Sequence, residues 1–426
     1  MTADPQPARR IQRDAWTRLV YLQLGAFSFF LYSFSPAIGF LKDDLHISAG
    51  LAGLHSTAYA VGVTLGGVTA PWYITRVGGS GRALWFGLLG LCAAVGLFCA
   101  LPVLPLTLSA AIFCGVFGSY LCIAVPSALA RTHGPEFGAT AITEANGVAA
   151  VVGITAPFAI GGAVAAGIGW RPAMLAVVPL CAALFLLLGK VRESPRPTGN
   201  RGSETEGTGH DSGPEIRTDE PDGGWRTLPR RFWINQIAGV CVVAIEFSLT
   251  LWCASLLQER AGLNHGTAAL GVSAIVAGLA VGRLIGGPLT LRIPMDRLLF
   301  TAFTVNGLGF ALFWLAATPA SMFAGLVLAG LGMSLEFPLV SARGINLSGG
   351  RPELAGAINM LGGGIAIGTA PFALGVLSDR IGVHAAYLLV PALIAIAIAA
   401  LAASRPPHRP PHHRTLAVRA SESMAT

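Results

Sequence analysis

Apolar stretches of bilayer-spanning length recur along the whole chain, and nothing else constrains its fold as strongly. Crossing a bilayer as a helix takes about 20 apolar residues. The pattern predicts helices over Leu19 to Leu41, Leu51 to Ile74, Ala83 to Leu101, Leu104 to Ala130, Phe137 to Gly162 and Ala173 to Leu188. After a gap it predicts Phe232 to Leu257, Ala268 to Leu291, Leu298 to Ala317, Met322 to Ala342, Leu354 to Leu377 and Ala385 to Ala403. These are twelve spans, six on each side of a polar stretch. The chain is 53% hydrophobic and only 12% charged, against roughly 25% charged in soluble domains. An ordinary soluble enzyme is therefore excluded, and the expected class is an all-α integral membrane protein. The first span follows Arg9, Arg10, Arg13 and Arg18. It is longer than a signal-peptide core and lacks a clear cleavage site, so it reads as a retained helix.

The net charge of +7 would suggest nucleic acid in a soluble protein, but the placement of the charge argues otherwise. With both termini inside, 23 of the 28 Lys and Arg fall in inner segments; the outer loops hold Lys42, Arg171, Arg260 and Arg380, and Arg283 lies within a helix. This is the asymmetry of the positive-inside rule. It predicts cytoplasmic termini, a bilayer as the partner and no nucleic acid.

The expected organisation is a cytoplasmic N-terminal segment over 1–18, a six-helix half over 19–190, a cytoplasmic linker over 191–231, a second six-helix half over 232–403 and a cytoplasmic tail over 404–426. The linker mixes acids with Gly, Ser, Pro and Arg and has little to bury, which predicts flexibility. The tail repeats Pro with Arg and His from Arg405 to Arg414 and reads as a solvated segment rather than a metal site. All seven cysteines fall within predicted helices and none forms a C-x-x-C, so buried thiols are expected and no disulfide framework, metal site or cofactor.

The halves resemble each other. Thr155-Ala-Pro157-Phe-Ala-Ile-Gly161 in helix 5 matches Thr369-Ala-Pro371-Phe-Ala-Leu-Gly375 in helix 11. Gly118, Pro126 and Arg131 match Gly330, Pro338 and Arg343, and Gly62, Gly66 and Gly67 match Gly282, Gly286 and Gly287. Parallel repeats of this kind occur in secondary transporters, with the substrate site near the midplane between the repeats.

Between helices 2 and 3 stands Pro71-Trp-Tyr-Ile-Thr75-Arg76-Val-Gly78 followed by Arg82, and between helices 8 and 9 Gly287-Pro-Leu-Thr-Leu291-Arg292-Ile-Pro294 followed by Arg297. Both resemble the G-x-x-x-D-R-x-G-R-R signature of the major facilitator superfamily, with the acid replaced by Thr75 and Leu291. A full Gly375-Val-Leu-Ser-Asp379-Arg380-Ile-Gly382 follows helix 11. The resemblance implies a secondary transporter of a small organic solute, lodged in the cell membrane and working by alternating access as a monomer. It makes Arg76 and Arg292 gating candidates, and helices 3, 6, 9 and 12 the outer supports.

Of the 21 acids only Glu144, Glu246 and Glu336 fall within the predicted helices, and of the bases Arg283. An ionisable group at the bilayer centre costs about 2.5–3.5 kcal/mol unless it faces a cavity or a partner. From the cytoplasmic helix ends Glu144, Arg283 and Glu336 lie roughly 9–12 Å deep and Glu246 about 21 Å. Arg283 can pair with Glu336 in its own half or with Glu144 across the halves. Glu246 has no partner at its level, and an unpaired desolvated carboxylate holds a proton more tightly. Glu246 is thus the candidate for the coupling proton, and a Glu144 to Arg283 contact the candidate cytoplasmic gate. Two roles remain open to Arg283, since Gly278, Gly282 and Gly286 around it form a close-packing stripe.

Ser28, Tyr32 and Ser35 share a face of helix 1, and with Asn146 and Asn359 they are candidates to line the solute site; helix–helix hydrogen bonds are their other use. His55 and Tyr59 are expected to pack, and Arg131 and Arg343 to anchor the membrane interface. Pro36, Pro126, Pro157, Pro338 and Pro371 give the helices places to bend. No G-x-x-x-x-G-K-[ST] loop and no hydrolase or kinase signature is present, which speaks against ATP drive and against an enzyme. A solute receptor derived from a transporter fold is the alternative; a channel is disfavoured for want of a repeated filter.

Overall fold

The computed structural model describes residues 13–100, 103–191, 225–290, 292–349 and 351–405. Long helices run back and forth between two ends of a bundle. We call the end where the first helix starts the near end, and the other the far end. Helix α1 is Ala15–Leu45, α2 Ala49–Arg76, α3 Ser80–Ala100, α4 Leu104–Gly134, α5 Thr140–Ala165 and α6 Trp170–Leu188. Helix α7 is Arg230–Ala261, α8 His265–Thr290, α9 Met295–Leu315, α10 Pro319–Leu347, α11 Pro352–Ile381 and α12 Val383–Ala403.

Local chemistry sets the helix ends. Asp14 starts α1, its carboxylate accepting hydrogen bonds from Thr17 N (2.8 Å) and Thr17 Oγ1 (2.7 Å). Ser48 starts α2 in the same way through Leu51 N. Gly262 closes α7 at φ 63°, a left-handed turn that glycine enters without strain. Between α4 and α5 the helical path continues from Leu104 to Ala165 and is broken only at Gly134 (φ 67°, ψ −172°).

The helices extend beyond the apolar cores read from the sequence, because capping and helix-end polar residues add a turn or more. Helix α1 starts at Ala15, inside the expected N-terminal segment. Asp43, Asp44, Glu259, Asp296 and Asp379, read as loop acids, lie within helix ends. Most of the 191–231 linker and of the 404–426 tail, with its His and Pro run, lies outside the described residues. Of the cysteines, Cys122 is exposed and Cys92 half-buried, so the expectation of buried thiols holds for the other five.

Among the described residues eleven helices are long and apolar enough to cross a membrane. Helix α2 is equally long, at 28 residues, but less apolar, since it carries His55, Ser56, Thr57, Thr64 and Thr69. Two of these, His55 and Ser56, are buried inside the protein. His55 is fully buried and reaches Thr107 Oγ1 on α4 at 2.9 Å, the packing role expected of it.

Each half is held by a glycine crossing. A Cβ at Gly115 would stand 2.2 Å from Tyr59 O, and one at Gly62 2.0 Å from Ile112 O, so α2 and α4 touch backbone to backbone. The second half repeats this contact: a Cβ at Gly330 would stand 2.2 Å from Ile275 O, and one at Gly278 2.1 Å from Val327 O. The true equivalents are therefore Gly62 with Gly278 and Gly115 with Gly330. The sequence pairing of Gly62 with Gly282 and Gly118 with Gly330 is out of step by about one helical turn. Glycines spaced four residues apart make a slip of one turn invisible in sequence.

Candidate functional site

The two halves meet along two seams, both in the far part of the bundle. In the first, α2 runs against α11. Thr57 Oγ1 donates to Gly368 O, and a Cβ at Gly53 would lie 3.0 Å from Phe372 Cα. At its far tip the Asp379 carboxylate accepts from Ala49 N (2.8 Å) and Gly50 N (2.6 Å), capping the first turn of α2 from the opposite half. In the second seam α8 runs against α5. Ser273 Oγ donates to Ile154 O (3.2 Å), and a Cβ at Gly161 would lie 2.6 Å from Gly266 O. At the far mouth His265 Nδ1 stands 3.3 Å from the Asp43 carboxylate.

The seams are copies of each other. In both, a hydroxyl bonds the carbonyl three residues before the helix proline, Gly368 before Pro371 and Ile154 before Pro157. The ring and the missing amide of proline disturb the helical ladder at that level and turn carbonyls outward. The repeated Thr-Ala-Pro-Phe motif thus marks where the halves touch.

Toward the near end the same helix faces are bare. Val68, on the α2 face that carries Thr57 and Thr64, is 77% exposed, and Leu284, on the α8 face that carries Ser273, is 78% exposed. Val151 and Leu361 on the facing sides of α5 and α11 are exposed as well. The halves are clamped at the far end and parted at the near end.

The expected charges sit at the border of the parted region. Glu246 on α7 is half-buried, and its carboxylate has no hydrogen-bond partner among the described residues. It lies within electrostatic reach of Arg283 on α8, which also acts on Tyr32 of α1. Arg283 is exposed and forms no ion pair among the described residues. Tyr32 and Ser28 face α5, where a Cβ at Gly153 would meet Tyr32 Cδ2 at 2.5 Å and Ser28 Oγ at 2.6 Å.

Other candidates are placed differently. Ser35 lies in the clamped part, beside Pro36, Phe40, Thr250 and His265. Asn146 is exposed and turns its amide back to Ile142 O (2.8 Å). Asn359 lies near Gly344 with Asn235 and Gln236, two α7 residues that sequence reasoning passed over. Arg76 and Arg292 are exposed at the near end.

Neither partner foreseen for Arg283 holds it in this conformation. Glu336 is fully buried and accepts one hydrogen bond from Asn306 Nδ2 of α9 (3.0 Å), while its second oxygen and Asn306 Oδ1 find no partner among the described residues. It faces α9, away from the cleft, because Gly332, one turn away, lets α9 approach. Glu144 is taken by Arg13, with contacts of 2.6 and 2.9 Å, and by Tyr21 Oη at 3.1 Å. By sequence Arg13 is one of the topology-setting charges, and no spacing rule links it to a residue 131 positions away. Arg343 is buried and anchored, donating to Asp296 Oδ1 (3.0 Å) and Leu401 O (3.1 Å), so it ties α10 to α9 and α12.

Helical halves of like build, clamped at one end and parted at the other with Glu246 and Arg283 at the border of the parted region, define a class: a multi-pass membrane transporter. The chain belongs to the major facilitator superfamily, whose family model matches residues 20–369. Solved structures agree on the fold. A bacterial homolog to the human lysosomal transporter Spinster, in an inward-facing and occupied conformation, is 15% identical with a TM-score of 0.65, covering 93% of this chain and 94% of its own. The nucleoside transporter NupG is 11% identical with a TM-score of 0.69 over 91% of this chain and 98% of its own. The transporter FucP in the outward conformation is 16% identical with a TM-score of 0.55 over 91% and 100%. No curated protein matches the chain in sequence.

Proposed function

We propose that this protein is a proton-coupled secondary transporter of a small organic solute, with α2 as the twelfth span, both termini in the cytoplasm and the cell membrane as its location. On this reading the near end is cytoplasmic, and the structure is the inward-open state of an alternating-access cycle. The observation that carries it is the register of the α5–α8 seam. Ile154 meets Ser273 and Gly161 meets Gly266. Continued at the same antiparallel register, the seam brings Glu144 opposite Arg283. Closing the near end therefore offers Arg283 a carboxylate that Arg13 holds while that end is open. Glu246, unpaired beside Arg283 and Tyr32, is the group to take the coupling proton, and Tyr32, Ser28 and Asn359 are candidates to touch solute.

The test is counterflow in proteoliposomes of the purified protein with a panel of labelled organic solutes. Exchange of a labelled solute against excess unlabelled solute is expected, and a pH gradient should drive its accumulation. Saturable binding without exchange would instead mark a receptor.

A further inference from the structure

On the outer face of the first half, α3 and α6 leave a groove of about 460 Å3 lined by Phe86, Leu88, Leu89, Val178 and Phe185, with Arg82 as its one charged member. At the near end it runs into a second hollow of about 360 Å3, bounded by Trp16, the Gly78-Gly79 turn, Gly189 and Val191. Arg82 and Trp85 line both. One continuous surface therefore passes from a dry wall at membrane depth to a polar, basic floor.

The floor is built to hold negative charge. The turn before α3 is made by Gly78 (φ 84°) and Gly79 (φ 105°), which let the chain fold back tightly. Arg82 lies so close over it that a Cβ at Gly78 would stand 2.9 Å from Nη1. Among the described residues Arg82 has no hydrogen bond, ion pair or ring contact, and no acid lines either hollow. Lys190 is exposed between two of the lining residues. The corresponding turn of the second half is different: Asp296 stands one residue before Arg297 and pairs with Arg343 at 3.0 Å. The basic floor without an acid belongs to one half only. Trp85 packs edge-on against Phe185, with centroids 5.3 Å apart, between the polar and apolar parts. Trp favours that depth in membrane proteins.

We propose that this groove is a binding site for an anionic phospholipid, its acyl chain laid along the exposed Phe86, Leu89 and Phe185 and its phosphate held by Arg82. Basic pockets between membrane helices recognise anionic headgroups, and mostly apolar clefts of this size with a few convergent polar groups are typical ligand sites. The inference is independent of solute, coupling and direction of transport.

The test is native mass spectrometry of the detergent-purified protein with phosphatidylglycerol and phosphatidylcholine of identical chains. Wild type is expected to retain phosphatidylglycerol about fivefold better. Arg82→Gln should bring the two lipids level, Arg82→Lys should keep the preference, and Arg297→Gln should leave it intact. Leu89→Trp, which fills the groove and spares the cation, should lower retention of both lipids. The idea is overturned if Arg82→Gln keeps the preference, if Leu89→Trp retains both lipids as wild type does, or if inorganic phosphate alone protects against thermal unfolding as well as phosphatidylglycerol does. Should Arg82→Gln not fold, Leu89→Trp and the phosphate arm still decide.

Discussion

Glu144 has one carboxylate and two cations that could claim it, and this competition is where single residues bear on function. In the present conformation Arg13 and Tyr21 hold it, while Arg283 stands exposed and without an ion pair among the described residues. Reversing either charge, Glu144→Arg or Arg283→Glu, should slow counterflow by about tenfold, equivalent to roughly 1.4 kcal/mol. The double reversal should recover part of that loss, and absence of any rescue would rule the pairing out. Glu246→Gln is expected to keep counterflow while removing accumulation driven by a pH gradient, since the amide cannot take up a proton. Equal gradient-driven uptake in the variant would remove Glu246 from the coupling role. Glu144, Glu246 and Arg283 are all legible in the sequence, because a charge inside an apolar helix is conspicuous. Their partners are not. Glu336 stood out equally and turns out to face Asn306, since which side of a helix meets which neighbour depends on packing.

Among the helices, the small residues decide how closely elements approach. A Cβ at Gly115 would fall 2.2 Å from Tyr59 O, whereas Gly96 meets nothing within 4 Å. Gly115→Ala should therefore destabilise the protein by about 1–3 kcal/mol, read as a lower unfolding temperature in detergent, while Gly96→Ala should leave that temperature nearly unchanged. The cap between α11 and α2 is an element-scale device with a functional reading. Asp379 satisfies two orphan amides of α2 across the closed far end. Asp379→Ala should cost the closed far end about 1 kcal/mol, a shift of roughly fivefold toward far-end opening. Spin labels on the far tips of α2 and α11 would report the longer distances, and an unchanged distribution would count against a latch. The sequence displayed Asp379 within a full motif but ended the helix at Leu377. Apolarity stops there, while the helix goes on to Ile381.

At the scale of the molecule, two copies of one contact make one closed end. If the α2–α11 seam must part during transport, tying it should stop the cycle. In a background without the native cysteines, Ala60→Cys with Gly368→Cys places two Cβ atoms about 3.1 Å apart. Oxidation is expected to abolish exchange and reduction to restore it. Transport that survived complete cross-linking would refute the clamp as a moving part.

What the sequence determined by itself was the solvent and the plan: helices in lipid, a repeat about half the chain long and a few charges in its interior. Those features are local, since a bilayer penalises polar groups residue by residue and rewards apolar length directly. Only the tertiary structure decided the register of the repeat, the partners of Glu144 and Glu336, and which end of the bundle is shut. Each of these depends on the rotation and slide of one helix against another. A step of one residue turns a side chain by about 100°, so a sequence with glycines every fourth residue is compatible with several registers until packing selects one.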